Sequence, residues 1–285
     1  MGISSLKDEP PLKVPPDRVG LVAVDVDGTL LRSDRKICAA AVEAIRRCIK
    51  AKVKVVLASA RPPRSVRQIH QALGLDTVSI HYNGALIHDL VRRKNLFHQP
   101  MDAKLVRKII DVARAIDPKV IVSLEILDHW FTDHFDPQYA TETGRIFKPD
   151  EVGPLEKFLD QPVTKLMLLG PPARLAKVRQ PIIEQFAGQI GVAVTDPDLL
   201  QLTHHEVDKA EALARVARVY GVKRRHIMAI GDAPNDATML QWAGWGVAVG
   251  NAWPEAKAAA DTVAPSNNDS GVAYAIRRYV FGEKR

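Results

Sequence analysis

Apolar positions along the chain form two kinds of pattern that follow each other in turn. Short runs composed mainly of Val, Ile, Leu and Ala occupy residues 21–24, 53–58 and 77–80. Strands buried on both faces have this character. Between the runs, apolar residues recur at intervals of three and four, the period of an amphipathic helix. The first two helical stripes are Cys38, Val42, Ile45 and Ile49, and then Val66, Ile69 and Leu73. Strands that alternate with helices predict βαβ units and therefore a parallel sheet.

The alternation stops near residue 87. Two apolar runs, 120–127 and 130–132, are separated only by the turn-forming pair Asp128 and His129, which predicts an antiparallel hairpin. Amphipathic helices and further short strands follow, so this segment is of the α+β type. Its remaining predicted strands lie at residues 165–169, 192–194 and 199–202.

The βαβ rhythm resumes with a helix that begins near Lys209 and a strand at residues 226–230, and it continues to Ile276. The sheet begun before the insert is therefore completed after it. We predict a doubly wound α/β core with a Rossmann-like parallel sheet, interrupted by an inserted α+β domain that we call the cap. The predicted boundaries are 20–86 and 203–285 for the core, 87–202 for the cap, and 1–19 for a flexible, proline-rich tail.

Composition narrows the classes of function. The 285 residues carry a formal charge of +7, but Lys and Arg are mixed with acids and form no basic run beyond residues 223–225, so we expect no nucleic-acid partner. Cys38 and Cys48 are about 15 Å apart on one predicted helix, too far for a disulfide, which is typical of a reducing compartment. No stretch is apolar enough for a membrane span or a signal peptide, so we expect a cytoplasmic protein without a membrane partner. The oligomeric state stays open.

Candidate chemistry begins where the first strand ends. Asp25 and Asp27 are two residues apart, so in an extended chain their side chains project from the same face, and Gly28 then lets the backbone turn away. Ligands of open α/β sheets bind just beyond such strand ends. Two neighbouring carboxylates repel each other, so the pair indicates a divalent metal, a nucleophile beside an acid/base, or both.

Polar residues also follow the other predicted core strands. Ser59 follows the second strand, Asn83 follows the third, and the segment from Gly231 to Asp236 follows the strand at 226–230. A hydroxyl, an amide and two further carboxylates, Asp232 and Asp236, would therefore meet at one edge of the sheet. Mg²⁺ prefers such hard oxygen ligands and binds substrate phosphate. Lys209 could supply the positive charge that a phosphoryl group needs.

These residues together resemble a known family. Asp25-Val-Asp27-Gly-Thr-Leu, Ser59, Lys209 and Gly231-Asp-x-x-Asn-Asp236 resemble, in order and spacing, the four motifs of the haloacid dehalogenase superfamily of phosphatases. The stretch Tyr82-Asn-Gly-Ala85 and the large insert look like its Cof-like branch with a type IIB cap. Ala60, Ala210 and Pro234 depart from the usual pattern, but none of them replaces a charged or hydroxyl group.

The resemblance implies a role for each matching residue. Asp25 would be the nucleophile that forms an aspartyl-phosphate, and Asp27 the general acid/base. Ser59 and Lys209 would bind and neutralise the phosphoryl group, with Asn235 near it. The implied Mg²⁺ ligands are Asp25, the backbone carbonyl of Asp27, and Asp232, with Asp236 supporting either the metal site or Lys209. Arg61, Asn83 and Gly84 are further candidates for substrate binding, and the substrate would be a small phosphorylated metabolite such as a sugar or polyol phosphate.

Other functions remain open at this stage. A halide-displacing enzyme needs neither the second acid nor a phosphate-binding hydroxyl, so it is disfavoured. A phosphosugar mutase of the same superfamily and a non-catalytic protein that binds a phosphorylated ligand are the alternatives. Two further groups could contact a ligand, but we expect ordinary turn and loop residues there. They are the cluster Asp128, His129, Asp133, His134 and Asp136, and the pair His204 and His205.

Overall fold

The structure is a computed structural model that describes residues 15–139, 141 and 143–283. The chain divides into two compact units. The core unit runs to Leu96 and resumes at Asp208, and the insert unit is the segment Phe97–Val207. Most of the predicted tail at residues 1–19 lies outside the described residues, although Val19 at its end is buried.

The secondary structure consists of alternating strands and helices. The strands are β1 (Leu21–Asp25), β2 (Lys54–Ala58), β3 (Ser79–His81), β4 (Leu86–Asp89), β5 (Lys94–His98), β6 (Ile121–Ile126), β7 (His129–Thr132), β8 (Glu151–Val152), β9 (Lys165–Leu169), β10 (Ile190–Asp196), β11 (Leu199–His204), β12 (Ile227–Gly231), β13 (Trp245–Ala248) and β14 (Thr262–Val263). The helices are α1 (Ala39–Lys50), α2 (Pro63–Leu73), α3 (Ala103–Ile116), α4 (Pro172–Gln185), α5 (Lys209–Tyr220), α6 (Ala237–Trp242), α7 (Pro254–Ala259) and α8 (Gly271–Tyr279).

The core unit contains an eight-stranded sheet in the order β14-β13-β12-β1-β2-β3-β4-β5. The six strands from β14 to β3 pair in parallel, and β4 adds antiparallel to β3. The central strands β1 and β12 are fully buried, as parallel strands covered on both faces must be. The predicted doubly wound α/β fold is therefore confirmed.

Local sequence signals place the core helices. Asp208 caps the first turn of α5 by accepting from the N–H groups of Ala210 and Glu211, at 2.6 and 3.2 Å. The same helix ends at Gly221, whose φ of +65° is the left-handed conformation that glycine adopts without cost. Capping on both sides fixes where α5 begins, and with it the position of its first residue, Lys209.

The insert unit has a six-stranded sheet in the order β10-β11-β9-β6-β7-β8. Neighbouring strands pair antiparallel except β7 and β8, and the predicted hairpin is present as β6 and β7. The apolar residues of α3 and α4 pack with one face of this sheet. That buried cluster includes Val106, Ile109, Val122, Leu124, Leu168, Val178 and Ile182.

The structure differs from the sequence prediction mainly at β4 and β5. The sequence pattern assigns residues from 87 onward to the insert, but β4 and β5 extend the core sheet, and the insert unit begins at Phe97. Strand β5 is largely exposed and lacks the apolar run that marks a central strand, so its sequence carries little signal. None of the helices in the described ranges combines the length and apolar character needed to cross a bilayer.

Candidate active site

Three neighbouring strands of the core sheet end beside one another in polar residues. Asp25 is the last residue of β1 and lies level with Ala58, the last residue of β2, which Ser59 follows. On the other side, β1 pairs with β12, which Asp232 follows. Because the carboxyl ends of parallel strands lie at one edge of the sheet, the two carboxylates and the hydroxyl lie close together.

The loop after β1 packs closely against the loop after β12 and is hydrogen-bonded to it. Gly28 has a φ of +76°, and a Cβ atom there would lie 2.3 Å from Oδ2 of Asp232, so both the backbone and the close approach require glycine. The hydroxyl of Thr29 donates to Oδ1 of Asp232 at 2.6 Å. Asp232 is thus held directly against the Asp25–Thr29 segment.

Lys209 lies at the centre of the charged group. Its ammonium donates to Oδ1 of Asp25 at 2.7 Å and to Oδ1 of Asp236 at 2.6 Å, and its side chain is fully buried. Burial alone would lower the pKa of this amine, but the carboxylates of Asp236 and Asp25 raise it above its usual value. Lys209 is therefore a fixed positive charge in contact with the predicted nucleophile.

Both carboxylate oxygens of Asp236 accept hydrogen bonds from other groups of the protein. One carboxylate oxygen accepts from Lys209, and the other accepts from the backbone N–H groups of Asp232 and Ala233, both at 3.0 Å. The sequence leaves open whether Asp236 supports the metal site or Lys209. In the structure its contacts hold Lys209 and the loop that carries Asp232.

The carboxylates form a group with the chemistry of a Mg²⁺ site. Asp25, Asp232 and Asp236 are buried and offer oxygen atoms within 4.8 Å of one another. Burial and the neighbouring Asp236 raise the pKa of Asp25 well above its usual value, and burial raises that of Asp232 to about 6. Three acids with one ammonium leave negative charge uncompensated, and a divalent cation with hard-ligand preference would neutralise it. The residues present therefore fit Mg²⁺.

Asp27 is the one predicted member whose carboxylate lies outside this group. Its backbone is extended, with φ −85° and ψ 125°, and its side chain is half-exposed. Arg61 donates to it through Nε, at 2.7 Å, and through Nη2. The structure thus places Arg61, a candidate for substrate binding, on the predicted acid/base.

Ser59 is buried and held by the neighbouring loops. Its Oγ accepts from the N–H of Arg61 at 3.1 Å, its N–H donates to the carbonyl of Ile80 at 2.9 Å, and its carbonyl accepts from the N–H of Asn83 at 3.0 Å. Because Oγ acts as an acceptor in this contact, its proton can be donated to an anionic oxygen.

The remaining predicted residues also belong to these loops. Nδ2 of Asn235 donates to Oδ1 of Asn83 at 2.8 Å. Gly84 has a φ of +113°, and a Cβ atom there would lie 2.4 Å from the carbonyl oxygen of Asp208 at the start of α5. The core unit therefore brings the loops of all the predicted site residues together.

Two asparagines complete the site, and the sequence analysis does not single them out. Asn251 donates through Nδ2 to the carbonyl of Gly28 at 2.8 Å and accepts from the N–H of Asn267 at the same distance. Asn267 in turn donates to the carbonyl of Leu31 at 2.9 Å. Asn251 follows β13 closely, so the strand-end argument that found Ser59 would have found it as well.

The candidate groups in the insert unit have structural partners. Asp133 pairs with Arg114 at 2.6 Å and accepts from the N–H of Val122, and Asp136 accepts from the N–H of Gln138. The described residues of that cluster do not form a group of three or more ligand atoms within metal-binding reach. His204 and His205 stack on each other with ring centroids 4.4 Å apart.

A family model and two similar proteins indicate the same enzyme class for this chain. Residues 22–276 match the family model described as haloacid dehalogenase-like hydrolase. The putative phosphatase YxeH of Bacillus subtilis is 30% identical over 281 residues, which cover 92% of this chain and 99% of that protein. The 5-amino-6-(5-phospho-D-ribitylamino)uracil phosphatase YitU of the same organism is 26% identical over 271 residues, with 91% and 97% covered.

Solved structures agree with the fold of both units. A haloacid dehalogenase-like hydrolase from Bacteroides thetaiotaomicron has a TM-score of 0.84 at 27% identity, covering 92% of this chain and 99% of that one. The HAD subclass IIB sugar phosphatase BT4131 has a TM-score of 0.76 at 20% identity, covering 93% and 99%. The expected resemblance to the haloacid dehalogenase superfamily is thereby confirmed, and the fold is shared with a structure of subclass IIB.

Proposed function

Because this chain belongs to the haloacid dehalogenase-like hydrolases and is a phosphatase of that family, we propose that it hydrolyses small phosphomonoesters with Mg²⁺ as its cofactor. The observation that carries the proposal is the contact of Lys209 with Asp25 and Asp236 beside the carboxylate of Asp232. A buried ammonium and uncompensated carboxylates at a strand end suit a phosphoryl group and a divalent cation together. Phosphoryl transfer depends mainly on such positioning and charge neutralisation.

In the first step, a carboxylate oxygen of Asp25 attacks phosphorus and the bond from phosphorus to the substrate oxygen breaks. Asp27 donates its proton to that leaving oxygen, so the products are an aspartyl-phosphate and a neutral alcohol. In the second step, Asp27 takes a proton from water, the water oxygen bonds to phosphorus, and the bond to Asp25 breaks. Inorganic phosphate leaves and Asp25 is restored as a carboxylate.

The other side chains hold the phosphoryl group during both steps. Lys209 neutralises its oxygens while it orients Asp25, and the Ser59 hydroxyl donates to one of them. Mg²⁺, held by Asp25, Asp232 and the backbone carbonyl of Asp27, would supply further neutralisation of the phosphoryl charge. Arg61 fixes the carboxylate of Asp27 through two N–H groups, which keeps the acid/base at the mouth of the site until a substrate displaces the contact.

We propose further that the insert determines which phosphomonoester is accepted. The core groups recognise only a phosphoryl group and a metal, features that all phosphomonoesters share. On the sheet face opposite its helices, the insert has a shallow recess lined by the hydroxyls of Ser123 and Thr132, by aromatic rings that include Trp130 and Tyr139, and by apolar side chains such as Met167. Such groups suit the hydroxyls of a sugar or polyol phosphate. YitU, by its name, acts on a compound with a phosphorylated ribityl chain.

Hydrolysis of a panel of phosphomonoesters tests the proposal. We expect sugar and polyol phosphates to be hydrolysed with Mg²⁺, activity to vanish with a chelator, and Ca²⁺ to be a poor substitute because its larger shell tolerates a second Asp25 oxygen. Activity that survives the chelator, or hydrolysis of none of the panel, would contradict it. The phosphatase names of the relatives favour hydrolysis over the mutase reaction.

A further inference from the structure

Three consecutive residues after β3 have positive φ angles: Tyr82 at 53°, Asn83 at 58° and Gly84 at 113°. Left-handed backbone is unfavourable for residues other than glycine, and it is least unfavourable for asparagine. A tyrosine in this conformation with no exposed surface persists only because its surroundings hold it there. The contacts of this turn therefore explain why the chain keeps it.

On one side, the turn is bonded to the loop that carries Ser59 and Arg61. Ser59 donates through its N–H to Ile80 and accepts at its carbonyl from Asn83, at 2.9 and 3.0 Å. The carbonyl of Arg61 accepts from the N–H of Tyr82 at 3.4 Å. Ser59 and Arg61 are thus positioned by the backbone of the turn.

On the other side, the turn reaches the loop that carries Asp232. Asn235 lies between Asp232 and Asp236, and its Nδ2 donates to Oδ1 of Asn83 at 2.8 Å. Gly84 packs against the carbonyl of Asp208, so the start of α5 is in contact with the same turn. Asn83 is the residue that joins the two sides, because its backbone binds the Ser59 loop and its side chain binds the Asp232 loop.

We propose that Asn83 is a positioning residue whose side chain holds the Asp232 loop in the geometry that binds Mg²⁺, although Asn83 is neither a metal ligand nor near one in the sequence. The inference rests on the proposed function in that it takes Mg²⁺ as the cofactor. It replaces direct substrate binding as the main role of Asn83, since its carboxamide oxygen already accepts from Asn235. Asparagine suits both demands, because it tolerates the left-handed backbone and offers an acceptor oxygen.

A double-mutant cycle on metal binding tests this role. Asn83→Gly keeps the backbone conformation and removes only the side chain, and Asn235→Ala removes the other partner of the hydrogen bond. Calorimetric titration with Mg²⁺ alone, without any phosphorylated compound, measures affinity independently of turnover. We expect each single variant to bind Mg²⁺ about two- to tenfold more weakly, as loss of one hydrogen bond predicts. We expect the double variant to bind no more weakly than the weaker single variant.

Two further variants serve as controls for the hydrogen bond between Asn83 and Asn235. Asn83→Asp retains an acceptor oxygen for Asn235, and we expect it to bind Mg²⁺ at least as tightly as wild type. Asn268→Ala is the matched control, since the carboxamide oxygen of Asn268 accepts the same kind of exposed bond between two core loops, from Ser33 at 3.1 Å, and neither residue belongs to the Asp232 loop. We expect it to bind Mg²⁺ as wild type does. Thermal unfolding checks that each variant is folded.

The outcomes separate this inference from the proposed function. Wild-type protein that binds no Mg²⁺ would overturn the proposed cofactor itself. Wild-type protein that binds Mg²⁺, with Asn83→Gly binding equally well or with single effects that multiply in the double variant, would overturn the role of Asn83 alone. A change of KM in Asn83→Gly that differs between phosphomonoesters, at unchanged Mg²⁺ affinity, would return Asn83 to direct substrate binding.

Discussion

Lys209 of the core unit exposes none of its side chain, whereas Arg114 and Arg174 of the insert unit each expose 37% of theirs. All three are paired with carboxylates. Arg114 joins α3 to Asp133, which follows β7, and Arg174 joins α4 to Asp117 at the end of α3. Pairs with this exposure contribute little to stability. The core ammonium is shared between acids that are 184 and 27 residues away in the sequence.

This difference explains why, among the described residues, the candidate active site lies at the core sheet. A buried charge is costly unless every partner is in place, so it persists where the fold brings several loops to one point. The parallel core sheet does this, because all its strand ends with polar residues lie at one edge. The antiparallel insert sheet spreads its polar residues over a face, an arrangement suited to contacting varied groups.

The largest expected effect concerns the nucleophile of the core. Asp25→Asn is nearly isosteric, but an amide cannot attack phosphorus, so we expect turnover to fall on the order of 10⁴-fold or more for every phosphomonoester. The measurement is kcat/KM on the panel used for the wild-type protein. Asp133→Asn, which changes a carboxylate of the insert, serves as the control. Turnover of Asp25→Asn within tenfold of wild type would remove Asp25 as the nucleophile.

The second prediction compares buried and exposed charges through stability. Lys209→Met leaves Asp25 and Asp236 buried without their counter-charge, so we expect the free energy of unfolding to fall by roughly 3–5 kcal/mol. Arg114→Met removes a partly exposed pair and should cost less than about 1 kcal/mol. Chemical denaturation of both variants without Mg²⁺ measures the difference. Equal losses would show that burial does not distinguish the two units.

The third prediction concerns the insert. We expect replacement of residues 97–207 by a short Gly/Ser linker, which retains β4 and the first three residues of β5, to reduce differences in kcat/KM between sugar, polyol and aryl phosphates. Because pocket contacts contribute roughly 10–200-fold to discrimination, the remaining spread should be a few-fold. Circular dichroism and thermal unfolding establish that the core is folded. An unchanged rank order in a folded core would place specificity outside the insert.

The smallest expected effect is a pH dependence confined to the core. The pKa of Asp232 is about 6 in the folded protein and ordinarily 3.8, so the folded protein binds this proton more tightly than the unfolded chain does. Without metal, this group therefore makes the stability fall as the pH rises between these two values. Mg²⁺ binds the ionised form, and its stabilising effect should therefore be full above about pH 7 and weaken as pH falls below 6.

Thermal unfolding with and without Mg²⁺ at pH 5 and pH 7.5 measures this dependence. Asp232→Asn should abolish the Mg²⁺ shift at both values. The matched control is Asp261→Asn, because burial also raises the pKa of Asp261, which bonds the N–H of Gly246. We expect that variant to keep the wild-type Mg²⁺ shift. A shift that is larger at pH 5 than at pH 7.5 would contradict the assignment to Asp232.

The sequence predicts both the sheet and the site loops, because an apolar run marks each buried strand and the site residues follow directly after these runs. Apolar runs such as β1 and β12 mark the buried strands, and the polar residues that follow must share an edge if the strands are parallel. The division of the sheet between the segments before and after the insert also follows, since the βαβ rhythm stops and then resumes. Strand β5 has no such signal, because an exposed edge strand needs no apolar run.

Other features depend on contacts that no local pattern encodes. The bond from Thr29 to Asp232 joins residues 203 positions apart, and the pairing of Arg61 with Asp27 depends on the conformation of two loops. The depth of Lys209 follows from where α5 begins, which its caps fix, and from the packing of Gly84 against Asp208. These are tertiary results, and the sequence alone indicates only which residue types take part.

The most direct test of the account is to trap the phosphoryl group on the core. Wild-type protein is mixed with Mg²⁺ and, in separate reactions, with sugar, polyol and aryl phosphates, then quenched and treated with borohydride, which reduces an acyl phosphate to an alcohol. We predict homoserine at position 25 in the tryptic peptide that spans residues 19–32, with all three substrates, and none in Asp25→Asn. Turnover without any homoserine at position 25, or homoserine at another carboxylate, would contradict the claim that the core carries out the chemistry through Asp25.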